Sequence, residues 1–129
     1  MATHSGKTKR FRQYAKLKFR QAGTKHYLTL SAYERVDRPA SDTLSAMALF
    51  LPFQDLSNGQ ETYGGGRYMD LLRADIKAGK IMLDFNKAYN PYCAFGEGFS
   101  CPIPPSENRL SVAIKAGEKL PVPPLLSTE

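Results

Sequence analysis

Two neighbouring segments alternate between apolar and polar residues, and this alternation constrains the fold more than any other feature of the chain. Residues 15–20 place Ala, Leu and Phe at odd positions and Lys or Arg at even positions. Residues 25–35 alternate again, and the turn at 21–24 between them contains Gly23, which tolerates positive φ. A period of two residues is typical of a half-buried strand, so the pair predicts a β-hairpin.

Further short segments predict strands separated by tight turns. Residues 43–53 are apolar on both faces and predict a covered central strand, and Asn58-Gly59 suits a tight turn. Residues 80–85 and 110–115 alternate as strands, whereas residues 67–75 fit either a strand or a short helix. The resulting six or seven strands predict a mainly β fold: a single antiparallel β domain built as a sandwich, roll or open barrel.

The predicted domain occupies residues 13–119, between a flexible basic arm at 1–12 and a Pro-rich tail at 120–129. Between residues 84 and 108 lie 25 residues with four prolines, three asparagines and two cysteines. An irregular segment of that length is either functional or disordered, and this one is too aromatic and too weakly charged for disorder. We therefore expect a long ordered loop at 84–108, with any functional site beside it.

Basic residues are concentrated at the start of the chain. Residues 1–33 hold eight Lys or Arg and no acid, although the net charge of the whole chain is +6. Alternating Lys on a strand protects a sheet edge from aggregation, and the same pattern suits an anion or a nucleic acid. We favour the first interpretation and keep the second, binding through the basic N-terminal hairpin, as an alternative.

Apolar segments are short throughout. The longest apolar run, residues 46–53, has eight residues, far fewer than the roughly 20 that a spanning helix needs. No membrane contact is expected. With no signal-like apolar region near Met1, the protein is expected in the cytoplasm if Met1 is the true start, and as an exported protein if the sequence is truncated.

Common cofactor and catalytic motifs are missing from the sequence. The three glycines at 64–66 fit neither a phosphate-binding loop nor a dinucleotide fingerprint, and they indicate close backbone approach or a bulge. Cys93 and Cys101 are too far apart for a zinc pair and have no nearby histidine in the sequence. We expect no metal and no cofactor. The two cysteines are expected to be neighbours in space, as a disulfide or as buried thiols.

The segments GGGRYMDL, DFNKAYNPYCAF, CPIPPSENRL and IKAGEK, in this order and spacing, resemble a bacterial family known as domain of unknown function 1684. The resemblance covers residues 50–119 well and the first 40 residues loosely. Family members commonly carry more residues before the hairpin, so the resemblance implies a chain that is short at its start. It implies no established activity, and it marks the loop as a shared feature.

Polar residues in these segments either brace the loop or line a ligand site. The candidate ligand-binding residues are Arg67, Asp84, Asn86, Tyr89, Asn90, Glu107 and Asn108. A buried ion pair between Arg67 and Asp84 is one way to brace the loop. The leading hypothesis is a non-enzymatic domain that binds a small molecule, an anion or a partner beside the loop. The alternative is a hydrolase that uses Cys93, or Asp84 with Glu107, and anchors an anion on Arg67.

Overall fold

The fold is built on one antiparallel sheet. A computed structural model describes residues 1, 3, 8–21, 25–37, 41–96 and 98–120. Four strands follow one another in sequence and in space, in the order β1-β2-β3-β4: β1 is Phe11–Phe19, β2 is Leu28–Arg35, β3 is Ala48–Phe53 and β4 is Arg67–Leu72. The predicted class, a single mainly β antiparallel domain, is confirmed. The predicted hairpin is formed by β1 and β2.

Short helical segments connect the remaining chain. One α-helix, α1, is Thr43–Met47, and four single 3₁₀ turns are Arg73–Asp75, Phe85–Lys87, Tyr92–Ala94 and Ser106–Asn108. Three of these turns lie within 84–108, where they give the long loop local order. In the part of the chain that is described, no helix is long and apolar enough to cross a membrane.

Three sequence predictions of strands need correction. Residues 43–47 form α1 instead of the first half of a strand, since Leu, Ala and Met favour helix locally. Residues 80–85 and 110–115 contain no strand, and the described residues form four strands in place of six or seven. Residues 67–75 divide into strand β4 and a 3₁₀ turn.

Several predicted segments fall outside the described residues. They are most of the turn at 21–24, the connector around Pro39, much of the arm at 1–12, Glu97 in the turn between the cysteines, and all of the tail from 121 onward. The described part of the arm includes Phe11, which already belongs to β1.

A bulge in β1 reverses which of its odd-numbered side chains face the core. Gln13 pairs with Tyr33 and Ala15 pairs with Ala32, so Tyr14 is an extra residue without a counterpart. An added residue reverses the facing of every residue beyond it. Ala15 therefore shares the core face with Ala32, while Gln13 shares the opposite face with Tyr33.

The hydrophobic core lies on one face of the sheet. Leu49, Leu51 and Phe53 of β3 are almost completely buried there, and Phe50 and Pro52 lie on the other face. Two segments, residues 76–88 and 110–114, cover the core without forming strands. Their apolar contacts come from Ile76, Ile81, Leu83, Phe85, Ala88, Leu110, Val112 and Ile114.

Strands β2 and β3 are joined at only one registered residue pair, Tyr33 with Phe50. Beyond that pair, the side chain of Asn108 lies between the strands. Its Oδ1 accepts from the backbone N–H of Ser31 at 2.8 Å, and its Nδ2 donates to the carbonyls of Ser31 and Pro52 at 2.9 and 2.7 Å. Because the Asn108 side chain has no exposed surface, it replaces ladder hydrogen bonds that the two strands do not make. We call this junction the β2–β3 seam.

Candidate functional site

A cleft of about 550 Å³ lies between the sheet and the 84–108 loop, on the face opposite the core. Phe11, Phe50 and Tyr68 form part of its floor, and Tyr89, Tyr92 and Phe99 stand in the loop wall. Alternation along the strands explains the floor, because residues that share a face with Phe50 point away from the core. The β1 bulge explains Phe11, which would otherwise share the core face with Leu17.

The aromatic rings of the cleft pack against one another. Phe11 stacks on Phe50 with 5.3 Å between ring centroids, and Phe50 meets Tyr68 edge to face at 4.6 Å. In the wall, Tyr92 and Phe99 lie 5.4 Å apart. These separations fall within the favourable range for aromatic pairs, so the rings hold one another in position.

The loop wall is attached to the edge of β4 and to the floor. Tyr68 and Tyr89 exchange two backbone hydrogen bonds of 2.9 Å, and the Tyr68 hydroxyl donates to the carbonyl of Pro102. Behind the wall, the backbone N–H of Asn90 donates to Glu118 at 2.6 Å and its Nδ2 donates to the carbonyl of Lys119 at 2.9 Å. Tyr89 and Asn90, two candidate ligand-binding residues, therefore do line the cleft and also brace it.

Charged side chains lie at opposite ends of the cleft. Lys9 and Arg35 line the end beside β1 and β2, and Asp70 of β4 lines the other end. The Tyr89 hydroxyl donates to the Asp70 carboxylate at 2.8 Å. Burial, reinforced by that carboxylate, raises the pKa of Tyr89 and keeps its hydroxyl a donor.

The two cysteines meet at the loop wall. The backbone N–H of Cys93 donates to Sγ of Cys101 at 3.2 Å, and Sγ of Cys93 lies 3.4 Å from the carbonyl oxygen of Phe99. The prediction that they are neighbours is confirmed, and both are thiols in this structure. Cys101 lines the cleft, and burial raises the pKa of its thiol, which disfavours the reactive thiolate.

Arg67 lies on the core face, away from the cleft. Its side chain is fully buried, and its Nη2 lies 3.3 Å from Oδ2 of Asp55, which is also buried. The prediction that Arg67 pairs with Asp84 is therefore wrong. Asp55 lies two residues after the end of β3 and accepts from the backbone N–H of Ser57 at 2.7 Å, a local turn that presents its carboxylate to Arg67.

The Arg67 guanidinium also fixes the chain that follows the loop. Its Nη1 donates to the carbonyls of Ala116 and Glu118 at 2.6 and 3.2 Å, and its Nη2 donates to the carbonyl of Ile114 at 2.7 Å. Gly66, the residue before Arg67, is also closely packed, because a Cβ there would lie 2.5 Å from the carbonyl oxygen of Phe53. The interpretation of the glycines as points of close backbone approach holds at Gly66.

The other candidate residues are distributed outside the cleft. Asp84 accepts from the backbone N–H of Asn86 at 3.0 Å and caps a 3₁₀ turn. Glu107 accepts from the Ser31 hydroxyl at 3.1 Å, and Asn108 lies in the β2–β3 seam. Arg67, Asp84 and Glu107 thus have separate partners and do not line the cleft. The three residues that one version of the hydrolase alternative combined are therefore not brought together.

Sequence reasoning missed the floor of the cleft, including Phe11, Phe50, Tyr68 and Asp70. The alternating residues of 48–53 carried a usable signal, but both faces of that segment were interpreted as core. Within the described ranges, no group of three or more His, Cys, Asp or Glu is arranged to hold a metal ion.

Comparison with known proteins places the chain beside others without an assigned activity. No match was found among curated proteins. A solution NMR structure of an uncharacterized protein from Haloarcula marismortui is 40% identical with a TM-score of 0.66, and the alignment covers 84% of this chain and 56% of that one. The chain thus spans little more than half the length of that relative. Residues 1–119 match the family described as protein of unknown function (DUF1684), and the chain therefore belongs to that family.

Proposed function

We propose that this domain binds a small molecule with a planar ring in the aromatic cleft between the sheet and the 84–108 loop. The observation that carries the proposal is a concave cleft of about 550 Å³ that aromatic rings line on both sides. Cavities of roughly 300–1,000 Å³ with mainly apolar walls and a few polar groups are the usual form of small-molecule sites.

Exposure of the wall rings supports the same proposal. Tyr92 is 72% exposed and Phe99 is 44% exposed, although both are large and apolar enough to be buried at little cost. Exposed apolar groups gathered at one place mark an interaction site more often than chance would. A small molecule fits better than a protein partner, because the rings line a concave cleft instead of forming a flat surface.

Binding without catalysis is the better-supported activity. Cys101 is one nucleophilic side chain in the cleft, and burial raises the pKa of its thiol, which favours the protonated form. His26, the histidine that the structure describes, is exposed next to Tyr27 and does not line the cleft. A nucleophile without a neighbouring base is a weak basis for covalent catalysis.

A fragment screen by NMR tests this proposal. The panel contains small aromatic compounds with negative, neutral or positive substituents, and backbone amide shifts report the binding site. We expect hits with millimolar or tighter affinity that shift Asn90, Ser100 and Cys101 and leave Leu56 unchanged. A complete panel without any hit at the cleft would refute the proposal.

A matched pair of variants assigns the hits to the cleft. Tyr92→Ala removes an exposed ring from the wall, and Tyr27→Ala removes an exposed ring from the far end of the hairpin. Removing one stacked ring costs about 1 kcal/mol, so Tyr92→Ala should weaken hits about fivefold while Tyr27→Ala has no effect. Equal effects of the two variants would argue for non-specific adsorption.

A further inference from the structure

The distribution of charge around the cleft specifies the kind of ring compound that it would hold. We infer that the ligand is a planar ring carrying an anionic group, with the ring among the aromatic side chains and the anion between Lys9 and Arg35. This inference rests on the proposed function and deepens it, because it names the chemical class of the ligand.

Arg35 has donors available for an anion. Its Nε forms an ion pair with Asp37 at 2.8 Å, and its two terminal amino groups have no hydrogen-bond partner among the residues that the structure describes. A guanidinium held through Nε keeps its planar fork oriented, and that fork suits a carboxylate or phosphate. Arg35 pairs across the sheet with Phe11, so this fork lies beside a ring of the floor.

A second basic groove continues the same end of the cleft. It has a volume of about 390 Å³ and shares Lys9 and Phe11 with the cleft. Arg10 and Arg12 also line it, and Arg12 forms an ion pair with Glu34 at 3.1 Å. The positive charge of Lys9 and Arg10 attracts an anion toward the β1–β2 end before contact is made.

The surroundings of Asp70 favour a ligand with an anionic group at the basic end of the cleft over a ligand with a cationic group at the acidic end. Asp70 already accepts a hydrogen bond from Tyr89 at 2.8 Å, so its carboxylate has a partner without any ligand. Two strand spacings separate Arg35 on β2 from Asp70 on β4, which is about 10 Å. A ring between these ends would hold its anionic group away from Asp70, which would fix the orientation of the ligand.

Three probes with one ring system test the inference: indole-3-acetate, its neutral amide and the cationic amine tryptamine. We expect indole-3-acetate to bind at least about tenfold more tightly than the amide, because charge-assisted contacts contribute roughly that much. Tighter binding of tryptamine, or equal binding of all three, would overturn the inference while the ring cleft remains. A lack of binding of indole-3-acetate up to about 10 mM would also overturn the inference. Failure of the proposed function is a separate result, namely no cleft hit from the whole fragment panel.

Matched variants locate the anion. Arg35→Gln should weaken indole-3-acetate about tenfold and leave the neutral amide unchanged. Lys80→Gln removes the same charge from an exposed turn that lines no part of the cleft, and it should change neither affinity. Equal losses in the two variants would show an effect of net charge alone and would overturn the assignment. Thermal melts of both variants confirm that the fold is intact, as expected for a surface arginine.

Discussion

Replacing Arg67 with Met should remove a large part of the stability of the domain. The substitution leaves the buried Asp55 carboxylate without its ion-pair partner, and it removes the Arg67 hydrogen bonds to the carbonyls of Ile114, Ala116 and Glu118. Breaking a fully buried pair from one side costs about 3–5 kcal/mol. Because a domain of this size has about 5–15 kcal/mol in total, the loss is at least about a fifth of the stability.

Urea unfolding monitored by circular dichroism measures the effect. Lys115→Met is the matched control, since Lys115 forms an exposed pair with Glu61 at 3.7 Å, and its midpoint should barely move. The double variant Arg67→Met with Asp55→Asn should lose less than the sum of the two single losses, because no charge is then left buried alone. Additive single losses below about 1 kcal/mol would refute a buried, coupled pair at this position.

Three further predictions concern the seam, the cysteines and high pH. Asn108→Ala should cost about 3 kcal/mol, because three buried hydrogen bonds disappear, and urea unfolding measures it; a loss near zero would contradict the bracing role. In a Cys93→Ser variant, the remaining Cys101 should react slowly with a thiol reagent at pH 8 until urea is added, and equal rates in both conditions would oppose burial. The pKa of Tyr89 is raised by burial, so the unfolded chain loses its proton first and stability should fall as the pH rises above about 10. Unfolding midpoints from pH 8 to 11 should fall less for Tyr89→Phe than for the native protein.

Alternation in the sequence was a better predictor of side-chain burial than of strands. Leu110 and Ile114 are buried as the pattern indicates, and Met82 between Ile81 and Leu83 is 84% exposed. None of these residues belongs to a strand: beside Leu110, whose backbone N–H donates to the carbonyl of Gln54 at 2.7 Å just beyond β3, the pairing is limited to an isolated bridge between Gln54 and Arg109. A period of two residues indicates which side chains share a face, whereas a strand also needs a neighbouring strand to bond its N–H and C=O groups.

The ion pair between Arg67 and Asp55 was not predicted, because it joins two separate segments of the chain. Arg67 and Asp55 are twelve residues apart, and the chain between them contains turns whose paths no local pattern fixes. A signal was present in Asp55 itself, an acid two residues after a buried strand with Ser two positions later, which is typical of a turn that fixes a carboxylate. The long loop, in contrast, indicated the location of the cleft correctly from its length and aromatic content.

The β2–β3 seam divides the sheet into two units that can open separately. Strands β1 and β2 form one ladder, and β3 and β4 form another; they share one hydrophobic core, but the described hydrogen bonds between the two ladders come from a single residue pair and one asparagine side chain. Ladders with so few hydrogen bonds between them can exchange their amide hydrogens through separate opening events. The cleft crosses the seam, with Arg35 on one unit and Asp70 on the other. A ligand in the cleft would contact both units, so its binding would slow hydrogen exchange in both ladders at once.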